Sequence, residues 1–197
     1  MMNHLKLELS KTALVVIDLQ EGISSAKRED LAPFSAKEVI AQNERLTKRL
    51  KNTEALIVLV RVKNYGAERL SPLTDHLPQT NGFPPKNFSD LLLEVAHDEE
   101  AENVIVVNKH NWGAFYGTDL ELQLRRRGIE NIILTGVATA YGVDTTAREA
   151  FQRGFNQVIV KDAITDFDGE LHTQIVEKMF PQFARVRTTD EVLEKLL

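Results

Sequence analysis

The chain has 197 residues, 43% apolar and 27% charged, which suits one globular domain with enough core to fold without staples. A net charge of −5 argues against nucleic acid or an anionic membrane as a partner, since both select basic surfaces. The absence of cysteine excludes disulfides, thiolate metal sites and thiol catalysis together, and makes a reducing, cytoplasmic setting the expectation.

The opening stretch MMNHLKLELS has no long apolar core and no small-residue cleavage site, so no signal peptide is expected. No window approaches the roughly 20 apolar residues of a membrane span. The first strand is expected in TALVVIDL (12–19). A helix follows over 35–52, where Val39, Ile40, Leu46 and Leu50 keep helical spacing and Ser35 with Glu38 forms a capping box. EALIVLVRV (54–62) is the second strand. Residues 64–90 then break the rhythm with four of the six prolines, a long loop of the kind that is usually functional or a lid. NVIVVNK (103–109) gives the third strand, and 118–127 a helix capped by Thr118 and ended by Gly128. NIILTGV (131–137), a helix over 144–153 ended by Gly154, NQVIVKD (156–162), a helix over 168–179 and FARVRTT (183–189) complete the alternation. Runs that are apolar on both faces suit parallel strands covered on both sides. The fold class is therefore α/β: a three-layer α/β/α, doubly wound, Rossmann-like parallel sheet of about six strands, in a single domain over 1–197.

In such a sheet ligands bind beyond the carboxyl ends of the strands. Asp18 ends the first strand, Lys109 ends the third, and TGVATAYGVDTTAREAF (135–151) turns from the fourth strand into a helix, so the three can converge. Taken singly, Asp18 could be a loop-capping acid and Lys109 a snorkelling surface lysine. The turn lacks the Ser or Cys that an acyl-transfer site would carry at its tip, and its hydroxyls (Thr139, Tyr141, Thr145, Thr146) have no evident activating histidine in the sequence.

The pieces ALVVIDLQ, KHNWGAFYGTDL, GIENIILTGVAT, TTAREA and VKDA come in one order and spacing over nearly the whole chain. In them the chain resembles the isochorismatase-like hydrolases, a family of nicotinamidases, N-carbamoylsarcosine amidases and isochorismatases. In the amidase branch an Asp, a Lys and a Cys form the triad. The resemblance maps these onto Asp18, Lys109 and Gly142, and implies a cis peptide at Val137-Ala138. With glycine in the cysteine position no thioester can form there. The isochorismatase branch is similar in this respect, and cleaves a vinyl ether by protonation and water addition. The resemblance then implies Asp18 as general acid, Lys109 as a neutralising cation and Gly142 as room for a ring or a water. Gln20, Trp112, Phe115, Val137, Ala138 and Tyr141 are expected to line the substrate, with interlayer packing equally open for Phe115. It also implies a homo-oligomer, dimer or tetramer, acting on a small molecule.

Neither metal nor cofactor is expected. The nicotinamidase-type metal site needs Asp-x-His after the second strand, where this chain reads Arg61-Val62-Lys63-Asn64. Its five histidines (4, 76, 97, 110, 172) lack ligand spacing, and neither G-x-G-x-x-G nor a P-loop is present. Arg61, Lys63 and Arg69 are candidates for a substrate carboxylate. Two readings stay open beside vinyl-ether hydrolysis: a catalytically silent relative that binds a small molecule or serves as a structural subunit, and an Asp/Lys hydrolase of another small acid or amide.

Overall fold

The computed structural model describes residues 6–63, 72–75 and 84–196. Its six strands are β1 (Thr12–Ile17), β2 (Leu56–Val62), β3 (Val104–Lys109), β4 (Asn131–Val137), β5 (Asn156–Thr165) and β6 (Arg185–Arg187). All pair in parallel, in the order β3-β2-β1-β4-β5-β6. The helices are α1 (Glu21–Ser24), α2 (Ala36–Leu50), α3 (Leu120–Arg126), α4 (Asp144–Gln152), α5 (Gly169–Gln174) and α6 (Thr189–Leu193).

Alternate side chains of β1 divide the core. Leu14 and Val16 face Leu46 and Leu50 of α2 and Val192 of α6; Val15 and Ile17 face Leu120 and Leu124 of α3 and Ala147 and Ala150 of α4. All six residues of β1 are buried, as a central parallel strand requires. Ser35 and Glu38 form the expected capping box on α2: the serine hydroxyl accepts from the Glu38 N–H, and the glutamate accepts from the Ser35 N–H at 2.8 Å. Such a cap contributes about 1 kcal/mol.

Three features differ from the sequence expectation. The third helix starts at Leu120 with Asp119 at its cap position, although Thr118 Oγ1 accepts from the Leu120 N–H at 3.2 Å. Thr188 and Thr189, the last two residues of the run expected to form the final strand, instead cap and begin α6 (Thr189–Leu193), with a second capping box formed by Thr188 and Glu191. β5 runs three residues past 162 because it bulges. Ile159 opposes Leu134, and the next pair is Ile164 with Gly136. At the bulge Asp162 Oδ1 accepts from the N–H and hydroxyl of Thr189, which fastens α6 to the sheet. Most of the 64–90 loop, Arg69 included, lies outside the described residues.

The chain runs from β1 outward to β3, then returns to place β4 on the other side of β1. The switch point is therefore the crevice beyond the carboxyl ends of β1 and β4. Gly136 lets the two strands close there: its φ is +110°, and a Cβ would lie 2.0 Å from the Ile17 carbonyl oxygen.

Candidate active site

Asp18 stands one residue past β1 in a left-handed conformation, φ 54°, which Asp tolerates better than most residues. Its neighbours fix that turn. The Asp18 N–H donates to the Val60 carbonyl at 2.9 Å, and its carbonyl accepts from the Gln20 N–H and the Ser24 hydroxyl, each at 2.9 Å. The side chain is thereby aimed over the sheet edge rather than into either helical layer.

Lys109 ends β3, two strands away, and only a long side chain could reach across β2. Its ammonium meets Asp18 Oδ2 at 2.8 Å and donates to the Trp112 carbonyl at 2.7 Å. The lysine is 1% exposed and the aspartate 5%. Asp18 Oδ1, also buried, has no hydrogen-bond partner among the described residues. Burial pushes the Asp18 carboxyl up from 3.8 to about 6, against the pull of Lys109. An acid with one free oxygen and that pKa can hold and deliver a proton near neutrality.

The third component is the turn after β4. The Val137-Ala138 peptide is cis, as the resemblance implied. A wide helical turn, Thr139–Val143, follows, in which the N–H groups of Tyr141 and Val143 both donate to the Ala138 carbonyl, and α4 continues it. Gly142 is buried in this turn, held from α4 by the Thr146 hydroxyl donating to its carbonyl at 2.6 Å. A Cβ on Gly142 would lie 3.3 Å from both Asp18 Oδ2 and Lys109 Nζ, and 2.9 Å from Ile17 Cγ2. The position that a nucleophilic side chain would occupy therefore faces the pair directly, and here it is empty of side chain.

Above the pair, aromatic rings form a row. Trp112 packs edge-on to Tyr141 at 5.0 Å, Tyr141 stands 6.4 Å from Phe167, and the Arg28 guanidinium lies 5.0 Å over the Phe167 ring. Trp112 is 61% exposed, so it borders the mouth of the site rather than its floor. Phe167 and Arg28 carry no motif and escaped the sequence reading.

The other expected lining residues are placed differently. The Gln20 side-chain amide is consumed by main chain: its nitrogen donates to the Val62 and Phe88 carbonyls at 3.1 and 2.9 Å, and its oxygen accepts from the Val62 N–H at 2.6 Å. It ties loops together and has no donor turned toward a ligand. Phe115, 4% exposed, packs on Phe155 beneath the Arg153 guanidinium in the α3/α4 layer, which is the interlayer alternative. Val137 and Ala138 are buried beneath the turn in the α2-side core. The Arg61 guanidinium is tied to Asn108 Oδ1 and the Ser89 carbonyl.

The turn hydroxyls also bring a correction. Thr139 Oγ1 has a histidine beside it after all, His172 Nδ1 at 2.8 Å, which the 33 intervening residues hide from a reading along the chain. Thr139 is fully buried and its hydroxyl also reaches the Thr165 carbonyl at 3.2 Å, so it offers no attack path. Among the described residues no group of three His, Asp or Glu could hold a metal ion.

Comparison with known proteins agrees with this fold. The family model for the isochorismatase domain matches residues 12–191. Over 198 residues the chain is 39% identical to the isochorismatase family protein YwoC of Bacillus subtilis (strain 168), and the match covers all of both chains. An isochorismatase family protein from Burkholderia thailandensis superimposes with a TM-score of 0.82 at 34% identity, covering 94% of this chain and 95% of that one. Nicotinamidase PncA from Bacillus subtilis is similar at a TM-score of 0.72 and 26% identity, over 90% and 99% of the two chains. An acid, a lysine and a turn meeting at the switch point of a six-stranded parallel sheet thus accompany similarity along the full length. The chain belongs to the isochorismatase family of hydrolases.

Proposed function

We propose that this hydrolase cleaves a vinyl ether, isochorismate or a related small acid, with Asp18 as general acid and without a covalent intermediate. One observation carries the reading: beside a buried Asp18–Lys109 pair, the residue in the nucleophile position is Gly142, which sets no side chain, and so no nucleophile, against either group. An enol ether suits that arrangement because its hydrolysis asks only for a proton and a water. Asp18 delivers its proton to the terminal vinyl carbon, and the charge left behind is shared between the ether oxygen and the adjacent carbon as an oxocarbenium ion. Water adds to that carbon and gives up a proton to the Asp18 carboxylate, which restores the acid. The hemiketal then breaks its carbon–oxygen bond to release an alcohol and a 2-keto acid.

Lys109 neutralises the substrate's carboxylate and keeps Asp18 from being stranded as a lone buried charge once its proton has left. A bound anion and the exclusion of water both favour the protonated acid before the step. Trp112 and Tyr141 flank the entrance and present ring faces and edges to a cyclic substrate. The protein is assembled as a homo-oligomer in this reading, as the family resemblance implies.

The test is incubation of the purified protein with isochorismate, with pyruvate followed through lactate dehydrogenase. Pyruvate release that is indifferent to iodoacetamide and EDTA supports the mechanism. A covalent acyl-enzyme seen by mass spectrometry during turnover refutes it.

A further inference from the structure

Just beyond β5 lies a second buried polar cluster, which meets the Gly142 turn at Thr139 and Ala140. Asp166 is fully buried. Its Oδ2 accepts from the Ala140 N–H at 2.5 Å, while Oδ1 accepts from the Phe167 N–H at 2.7 Å and, more distantly, the Asp168 N–H at 3.4 Å. The Asp166 main chain is itself pinned, pairing with Ala32 through two hydrogen bonds of 2.8 and 3.1 Å. One residue earlier in the turn, Thr139 Oγ1 sits between His172 Nδ1 and the Thr165 carbonyl. A hydroxyl has one proton, so if it donates to Thr165 the histidine nitrogen must be the donor to Thr139. Two consecutive residues of the turn are therefore held, one through its side chain and one through its main chain, by the segment 165–172. Nothing in the proposed chemistry uses either Asp166 or His172.

We infer that Asp166 and His172 are positioning residues of the active site: together they hold the Thr139–Val143 turn so that Gly142 faces the Asp18–Lys109 pair. The inference rests on that pair and Gly142 being the reactive centre, but not on which substrate they take. Ala140 and Gly142 are two residues apart on one wide turn, so a main-chain shift at Ala140 is passed to Gly142 and to the Tyr141 ring at the mouth. Asp166 thus acts through the Ala140 N–H, and His172 through the Thr139 hydroxyl.

The chain's lack of cysteine supplies a clean reporter. Gly142→Cys places a unique thiol beside Lys109 and Asp18, each 3.3 Å from its Cβ, and the Ile17 side chain, 2.9 Å away, must shift to admit it. A thiol held beside a lysine ammonium at a helix entrance ionises below the ordinary value of about 8.5. The pH profile of iodoacetamide alkylation reads that midpoint without any substrate, so an error about vinyl-ether hydrolysis does not disturb the measurement. In Gly142→Cys the midpoint is expected about one unit or more below 8.5. Adding Asp166→Ala or His172→Phe should return it most of the way to 8.5. Ser35→Ala, a remote cap on α2, serves as the control: it should lower Tm and leave the midpoint alone. If Asp166→Ala does not fold, Asp166→Asn keeps the volume and one acceptor and should give a smaller shift in the same direction. A midpoint unmoved by the Asp166 and His172 substitutions overturns the inference, as does a midpoint already ordinary in Gly142→Cys alone.

Discussion

Asp18 and Asp166 are both buried acids placed just past the carboxyl end of a parallel strand, and they are equipped in opposite ways. Asp166 accepts three main-chain N–H groups on its two oxygens. Asp18 has a lysine on one oxygen and, among the described residues, nothing on the other. The first has its acceptor sites committed to geometry, the second retains one for a proton. Burial by itself therefore does not make a carboxyl group reactive; what surrounds its oxygens decides. The comparison assigns chemistry to one acid and architecture to the other, and it can be broken at either end.

The largest expected effect is on Asp18. Asp18→Asn should lower turnover on isochorismate by about 10²–10⁴-fold, the range for loss of a positioned proton donor. Pyruvate release by the variant measures this. Nearly full turnover would move the acid elsewhere and dissolve the contrast. Lys109 comes next. Lys109→Met leaves Asp18 buried without its cation, a loss of about 3–5 kcal/mol by the usual cost of breaking a buried pair, read from denaturant unfolding. Because Lys109 holds the Asp18 carboxyl down, its removal should also move the alkaline fall in activity, expected near pH 6 for the native protein, to higher pH. The double variant Asp18→Asn/Lys109→Met removes both charges and should be more stable than Lys109→Met alone.

A smaller effect appears in stability against pH. Folding raises the Asp18 pKa, so between its ordinary value of 3.8 and about 6 the native state holds a proton that the unfolded chain has released. Stability contributed through this group is therefore highest below 3.8 and declines as pH rises to about 6. A shift of about two units corresponds to an upper figure of about 3 kcal/mol. Subtracting the pH profile of Asp18→Asn from that of the native protein should reveal the decline. A difference that rises with pH over this window would mean that Asp18 is stabilised as a carboxylate, and so is no general acid.

Much of this contrast was legible in the sequence on one side and hidden on the other. Asp18 and Lys109 each close an apolar strand run, so the parallel-sheet rule alone puts them at one edge. The capping box at Ser35 and Glu38 fixed the start of α2 because its partners are three residues apart. The same pattern at Thr188 and Glu191 is hidden, because Thr188 lies inside the FARVRTT run that reads as strand. Asp166 follows the apolar run of β5 as Asp18 follows that of β1, but the bulge between 159 and 164 breaks the run early and conceals it. His172 and Thr139, or Gln20 and its main-chain partners at 62 and 88, meet only through tertiary packing that no local pattern encodes. Phe115 and Trp112, three residues apart, went to the core and the mouth respectively, a division that spacing cannot make in an irregular loop.

The smallest effect is expected from Asp166→Asn, and it tests the comparison most sharply. The amide keeps the shape of the carboxylate and one acceptor oxygen, but its NH₂ must face either the Ala140 or the Phe167 N–H, donor against donor. That should cost about 1–2 kcal/mol in stability, the penalty of a buried donor left unsatisfied. Turnover should fall only severalfold, with KM little changed, since the Asp18–Lys109 pair is intact and the Gly142 turn is loosened rather than removed. The fall of activity above pH 6 should stay where it is, because it belongs to Asp18. If Asp166→Asn instead erased that pH limb while Asp18→Asn preserved it, the two acids would have to exchange roles. The free oxygen on Asp18 would then be a structural vacancy, and the three amides on Asp166 would be shaping a proton donor.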